Sequence, residues 1–234
     1  MSRFIHGLDP ASKDDAFGIV THELPAGSTM PRLRMINKLT GTTFDAMYKY
    51  LVQDLFQRFP PYYIVIDYTN EKTFSDLLVR LYGKEKVELV SFSNERKLML
   101  KEDGLSVLRQ GYKFPNPEGH AIEPQLAQHV KELVAQLQHE QMLETKGGKT
   151  TFDHPPGQHN DLAIAWELSI HGCLRFMTRA GQVPAIMGAN MDGWQEYEQS
   201  TMSTDELSLA RVRDNIMKRL KGLNATNVDV KFTD

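Results

Sequence analysis

Three aspartates stand where the chain changes direction. Asp9 follows the apolar run Arg3–Leu8 and precedes Pro10, Asp67 follows the continuous β-favouring run Tyr62–Ile66, and Asp161 opens a long apolar stripe after the Pro-Gly stretch His154–Asn160. Carboxylates at element ends are what phosphodiester hydrolysis with two divalent ions requires. Hard cations about 3.5–4 Å apart need several oxygen ligands converging on one point, with positions left open for water and phosphate. Each aspartate also has a plainer reading. Asp before Pro is common turn chemistry, and an acid in a first helical turn complements the macrodipole. Asp67 resists that treatment best, because a carboxylate ending a buried apolar strand costs free energy unless it binds something.

For Asp9 and Asp67 to meet, the first and fourth strands must be parallel neighbours, and the remaining elements allow it. Arg3–Leu8, Ala16–Glu23 and Arg32–Leu39 are β-like runs separated by short turns, which predicts a three-strand meander. Phe44, Met47, Tyr48, Leu51, Val52, Leu55 and Phe59 recur at helical spacing until Pro60-Pro61 stops them, so a helix delivers the chain to the fourth strand. Phe74–Tyr82 is a short helix ended by Gly83, and Val87–Phe92 a fifth strand, which implies a right-handed parallel crossover. Asn94–Gly111 reads as a helix with an internal Gly104, Pro124–Glu140 as a helix with Leu126, Val130, Leu133, Val134 and Leu137 on one stripe, and Gln141–Phe152 as a hairpin turning at Gly147-Gly148. A last strong helix runs from about His159 to Ala180. This order predicts an α/β domain, a mixed five-stranded sheet with helices on both faces, as in the ribonuclease H-like fold. The domain spans residues 1–180, and residues 181–234 form a C-terminal extension with a polar helix near 205–222.

Composition narrows the function classes. The 234 residues are 41% apolar and 24% charged, enough for one large core, and the net charge of −3 excludes binding to nucleic acid through bulk positive charge. Any DNA contact must come from local patches: Arg96, Lys97 and Lys101 on the helix after the fifth strand, or Lys146 and Lys149 at the hairpin. Both groups can equally be solvated faces. The single cysteine, Cys173, excludes an internal disulfide framework and a Cys-rich zinc site, fits a reducing compartment, and has the spacing of a core residue. His154 and His159 lack a third close ligand for zinc. Trp194 and Tyr197 could stack on bases, or anchor a loop on the core. No apolar run is long enough to span a bilayer and no leader pattern opens the chain, so a soluble intracellular protein is expected.

The segment Phe4-Ile5-His6-Gly7-Leu8-Asp9-Pro10-Ala11, followed by Lys13-Asp14-Asp15-Ala16-Phe17, resembles the opening motif of the nuclease domain of viral DNA-packaging terminase large subunits. Tyr63-Ile64-Val65-Ile66-Asp67 is similar to that family's second acidic motif. Val90-Ser91-Phe92-Ser93-Asn94-Glu95-Arg96-Lys97 resembles its Phe-Ser-x-x-x-Lys stretch, and His154-Pro155-Pro156-Gly157-Gln158-His159-Asn160-Asp161-Leu162-Ala163 resembles the motif opening its last core helix. The four occur in the family's order over residues 3–180.

The resemblance implies a metal-dependent endonuclease that cuts double-stranded DNA with low sequence specificity during viral genome packaging. Asp9, Asp67 and Asp161 would be the catalytic, metal-binding carboxylates of a two-metal Mg²⁺ or Mn²⁺ site, with Asp9 between the ions. Asp15 would be an optional further ligand and His159 an orienting neighbour. The expected partners are double-stranded DNA, the terminase ATPase motor, portal and small subunit, in the host cell cytoplasm. Two features depart from the family. His159-Asn160-Asp161 stands where His-Asp-Asp is usual, and no ATPase motor precedes the domain, so an excised or naturally separate nuclease domain is expected. Gly147-Gly148-Lys149-Thr150-Thr151 resembles the end of a P-loop, but Leu143 occupies the place of its first Gly, and the segment reads as a turn. The same carboxylates would serve a junction resolvase or a ribonuclease H, and a non-catalytic docking module would use them as turn caps.

Overall fold

The computed structural model describes residues 2–10, 16–26, 28, 30–41, 43–69, 71–119, 122–139, 141–144, 150–153, 159–179 and 231–233. Asp15, Lys146, Lys149, His154, Trp194, Tyr197 and the polar helix expected near 205–222 lie outside them.

The meander forms as expected. β1 (Arg3–Asp9) pairs antiparallel with β2 (Ala16–Leu24), and β2 with β3 (Arg32–Thr40). The helical stretch that follows is wound unevenly: α1 (Phe44–Tyr48), a π-helical run over Lys49–Leu55, and α2 (Phe56–Arg58). Its buried residues Met47, Leu51 and Leu55 are spaced by four, a period longer than 3.6, and slower winding keeps all three on one face.

β4 (Pro61–Asp67) then lies parallel to β1, and after α3 (Lys72–Tyr82) the chain adds β5 (Val87–Val90) parallel to β4. The sheet order is β3-β2-β1-β4-β5. This is a mixed ribonuclease H-like sheet. Gly83, at φ +86°, ends α3 in a conformation that L side chains rarely adopt.

Two layers cover the sheet. Leu8, Phe17, Ile19, Ile64 and Ile66 pack on one face with the helical stretch after Thr43 and α3, while Ile5, Val20, Ile36 and Val65 face α6 (Asp161–Arg179) on the other. On the α6 side also lie α4 (Asn94–Arg109) and α5 (Pro124–His139). The internal Gly104 of α4 is explained by this packing. A Cβ there would lie 2.7 Å from Cζ3 of the buried Trp166. β6 (Lys113–Pro115) follows α4, and β7 (Gln141–Glu144) pairs antiparallel with β8 (Thr150–Asp153). β9 (Lys231–Thr233), at the chain's far end, pairs parallel with β6.

Candidate active site

Strand register brings the aspartates together. Leu8 pairs with Ile66, so the next residues, Asp9 and Asp67, end adjacent parallel strands side by side. Asp9 also pairs with Gly18, Gly18 with Lys38, and Asp67 with Val90. One row across the sheet therefore reads Lys38, Gly18, Asp9, Asp67, Val90.

Side-chain parity puts this row's functional groups on the α6 face. A Cβ on Gly7 would lie 2.0 Å from the Ala165 carbonyl oxygen, so Gly7 faces α6, and Asp9, two residues on, faces it too. A Cβ on Gly172 of α6 would lie 2.8 Å from Val65 Cγ2, so Val65, and with it Asp67, faces the same way. Asp161 begins α6 and sits directly over the row, since a Cβ on Gly18 would lie 2.2 Å from the Asp161 carbonyl oxygen. Gly7 and Gly18 are thus the seat on which the first turns of α6 rest, and that seat carries Asp161 to the edge where Asp9 and Asp67 emerge.

All three acids are buried, with Asp67 only 2% exposed. Burial raises the Asp67 carboxyl above the ordinary carboxylate range, and neither the backbone amide of Thr69, which donates to its Oδ1 at 2.8 Å, nor the nearby charge of Lys97 reverses the shift. A carboxyl removed from water this way is stabilised in its charged form by a bound cation, and an all-oxygen donor set suits Mg²⁺ or Mn²⁺. The residue types and backbone placement fit such an ion. The side chains as they stand are not gathered around one point: among the described residues no group of three or more His, Cys, Asp or Glu side chains is close enough to hold a metal. Asp161 Oδ2 lies instead 3.4 Å from Lys38 Nζ.

Lys38 has no signature in the sequence pattern. The alternation of Arg32–Leu39 would put it on the solvent side with Arg32 and Arg34. A bulge shifts the β2–β3 register so that His22 pairs with Leu33 but Thr21 with Met35, and Ile36 and Lys38 turn inward. The bulge left no mark that a period-two reading could detect.

The basic residues after β5 divide. Lys101, expected as a phosphate contact, is buried and paired with Glu167 at 2.8 Å, and Arg96 is held by Glu88 at 2.7 Å. A reading of that helix as a solvated basic face fails because the partner acids arrive from other elements. Half-buried Lys97 stays close enough to Asp67 to act on its charge. His159 is exposed just before α6, and Cys173 is buried, with its thiol pushed up by desolvation.

No protein-family model matches the chain, and no curated protein matches it. Among solved structures it is similar to the large terminase nuclease from thermophilic phage G20c with bound magnesium, at TM-score 0.56 and 15% identity over 73% of this chain and 81% of that one. It is similar also to the large terminase nuclease domain of Thermus phage P74-26, at TM-score 0.50 and 15% identity over 72% and 78% of the two chains. A mutant gp2c of the large terminase subunit from bacteriophage sf6, with calcium, matches at TM-score 0.50 and 12% identity over 72% and 88%. At these identities the likeness is one of fold, the fold of phage large-terminase nuclease domains.

Proposed function

We propose that the protein is a divalent-metal-dependent endonuclease that hydrolyses double-stranded DNA with low sequence specificity, as in viral genome packaging. The observation that carries this reading is the row in which Asp9 and Asp67 end adjacent parallel strands beneath the first residue of α6, Asp161. Those three residues would hold Mg²⁺ or Mn²⁺ in a two-metal site, and the ions when bound supply Lewis-acid chemistry at the phosphodiester. Asp9, central in the row, would be the principal ligand, with Asp67, Asp161 and, as an optional further ligand, Asp15 completing the donor set. Lys97 lies where a phosphate approaching Asp67 would meet a positive charge.

The phage neighbours support the packaging context, in which the ATPase motor, portal and small subunit would present DNA in the host cytoplasm. No helix among the described residues is long and apolar enough to cross a membrane. A net charge of −3 over these residues gives little bulk attraction for DNA, so such partners would present the substrate. Incubating the protein with supercoiled plasmid tests the reading. Nicking or linearisation should require Mg²⁺ or Mn²⁺, with Mn²⁺ at least as effective, and cleavage that persists in excess chelator would exclude it.

A further inference from the structure

Lys38 is held in a closed chain of contacts that ends where it begins. Its Nζ lies 2.7 Å from Glu132 Oε1 of α5 and 3.4 Å from Asp161 Oδ2 of α6. Gln136, one turn along α5, donates from Nε2 to the same Glu132 oxygen at 3.3 Å. Its own Oε1 accepts the backbone amides of Leu162 and Ala163 at 3.0 and 2.9 Å, capping the first turn of α6 beside Asp161. The ammonium is well enclosed, its side chain 16% exposed, with two carboxylates to choose between.

We infer that Lys38 is a positioning residue for Asp161, an internal counter-ion that holds this carboxylate in the metal-free protein and passes to Glu132 when a divalent cation binds. The inference rests on reading Asp9, Asp67 and Asp161 as a cation site. Three buried acids at one sheet edge repel one another when ionised. Lys38 relieves that repulsion on one side by drawing Asp161 toward β3. Glu132, the nearer acid, gives the displaced ammonium a partner already in hydrogen-bond contact, so releasing Asp161 does not strand a buried charge. Gln136 keeps Glu132 and the start of α6 in fixed relation during the exchange.

Two substitutions should move metal affinity in opposite directions. In calorimetric titration of the whole chain with Mn²⁺, Lys38→Met removes the competing cation and should tighten binding roughly fivefold, the scale of one unit charge acting over a few ångströms in a screened medium. Its melting temperature without metal should fall. Glu132→Gln leaves Lys38 with Asp161 alone and should weaken binding by about the same factor. A purely structural role would weaken binding in both. Both shifts should survive in about 1 M salt, where the screening length is about 3 Å and effects at a distance are lost. Shifts in the same direction, or shifts that vanish in that salt, overturn the counter-ion role. Should Lys38→Met fail to fold, Lys38→Gln, which keeps a polar side chain without the charge, takes its place: tighter binding supports the inference, unchanged or weaker binding overturns it. A wild type that binds no Mn²⁺, or an Asp161→Asn variant that binds it as wild type does, would instead sink the cation site itself.

Discussion

Beneath the middle of α6, acids are paired with bases. Lys101 meets Glu167 at 2.8 Å, His171 meets Asp103 at 2.7 Å, and Arg96 and Arg175 each reach Glu88 at 2.7 Å. Burial alone would raise the Glu88 carboxyl, yet His171, Arg175 and Arg96 hold it down to about 2. Under the first turn of the same helix the balance is different. Three buried carboxylates lie along one sheet edge there, Lys38 is shared between one of them and a fourth acid, and Asp67 is shifted up by its surroundings. The two clusters differ in composition: the first mixes acids with Lys, Arg and His, whereas the second is mostly carboxylate. The first joins elements, and the second is where we propose that a cation binds.

The sharpest way to test this contrast is to break the neutralised cluster. Lys101→Ala strands Glu167 inside the protein and should cost about 3–5 kcal/mol of stability, while Lys101→Met with Glu167→Leu should recover most of it. Denaturant melts measure both, and a single variant as stable as wild type would remove the distinction between the clusters. Gly18→Ala attacks the other end. Its new Cβ must displace the Asp161 backbone, so cleavage should be lost along with about 1–3 kcal/mol of stability, and full activity in this variant would mean that Asp161 need not sit where it does.

A third group of buried polar residues responds to pH alone. His6, bonded to Thr21 and the Phe59 carbonyl, and His22, between Ser169 and Tyr112, are both pushed down to about 3 by burial. Neutral when folded and charged when unfolded below pH 6.5, they contribute stability that is complete above pH 6.5 and lost as pH falls toward 3. His171, shifted the opposite way because its contacts with Asp103 and Glu88 outweigh its burial, contributes fully below pH 6.5. Between pH 6.5 and 4.5, replacing His22 with Gln should therefore flatten the fall in unfolding free energy by about 1.4 kcal/mol per pH unit. An unchanged slope would place His22 outside the acid response. The smallest effect concerns DNA. Lys97→Ala should lower the slope of log binding constant against log salt by about 0.9 if Lys97 meets a phosphate, and an unaltered slope would put the DNA path elsewhere.

Much of this arrangement was legible in the amino-acid order because it is local. The runs before Asp9 and Asp67 announce their strands, and the stripe after Asp161 announces its helix. Their convergence followed from the meander and one parallel crossover. What could not be read depends on distant partners. Lys101 looks like a solvated lysine until Glu167, 66 residues away, is placed beside it, and Lys38 until Glu132, 94 residues on, is. Gly7 and Gly18 carry no periodic signal, and their meaning appears only when a helix lies across them. Three-residue strands such as β6 and β9 are too short for any pattern to register.

Whether the carboxylate row is a cation site is measured by thermal melting of wild type and Asp9→Asn with and without Mn²⁺. Without metal, Asp9→Asn should melt at the same temperature or slightly higher, because one of three mutually repelling charges is gone. Mn²⁺ should raise the wild-type melting temperature with the logarithm of its concentration above Kd and leave the variant nearly unmoved. An Asp9→Asn protein that melts several degrees lower without metal, or that gains as much from Mn²⁺ as wild type, would show Asp9 to be a turn residue and contradict the account.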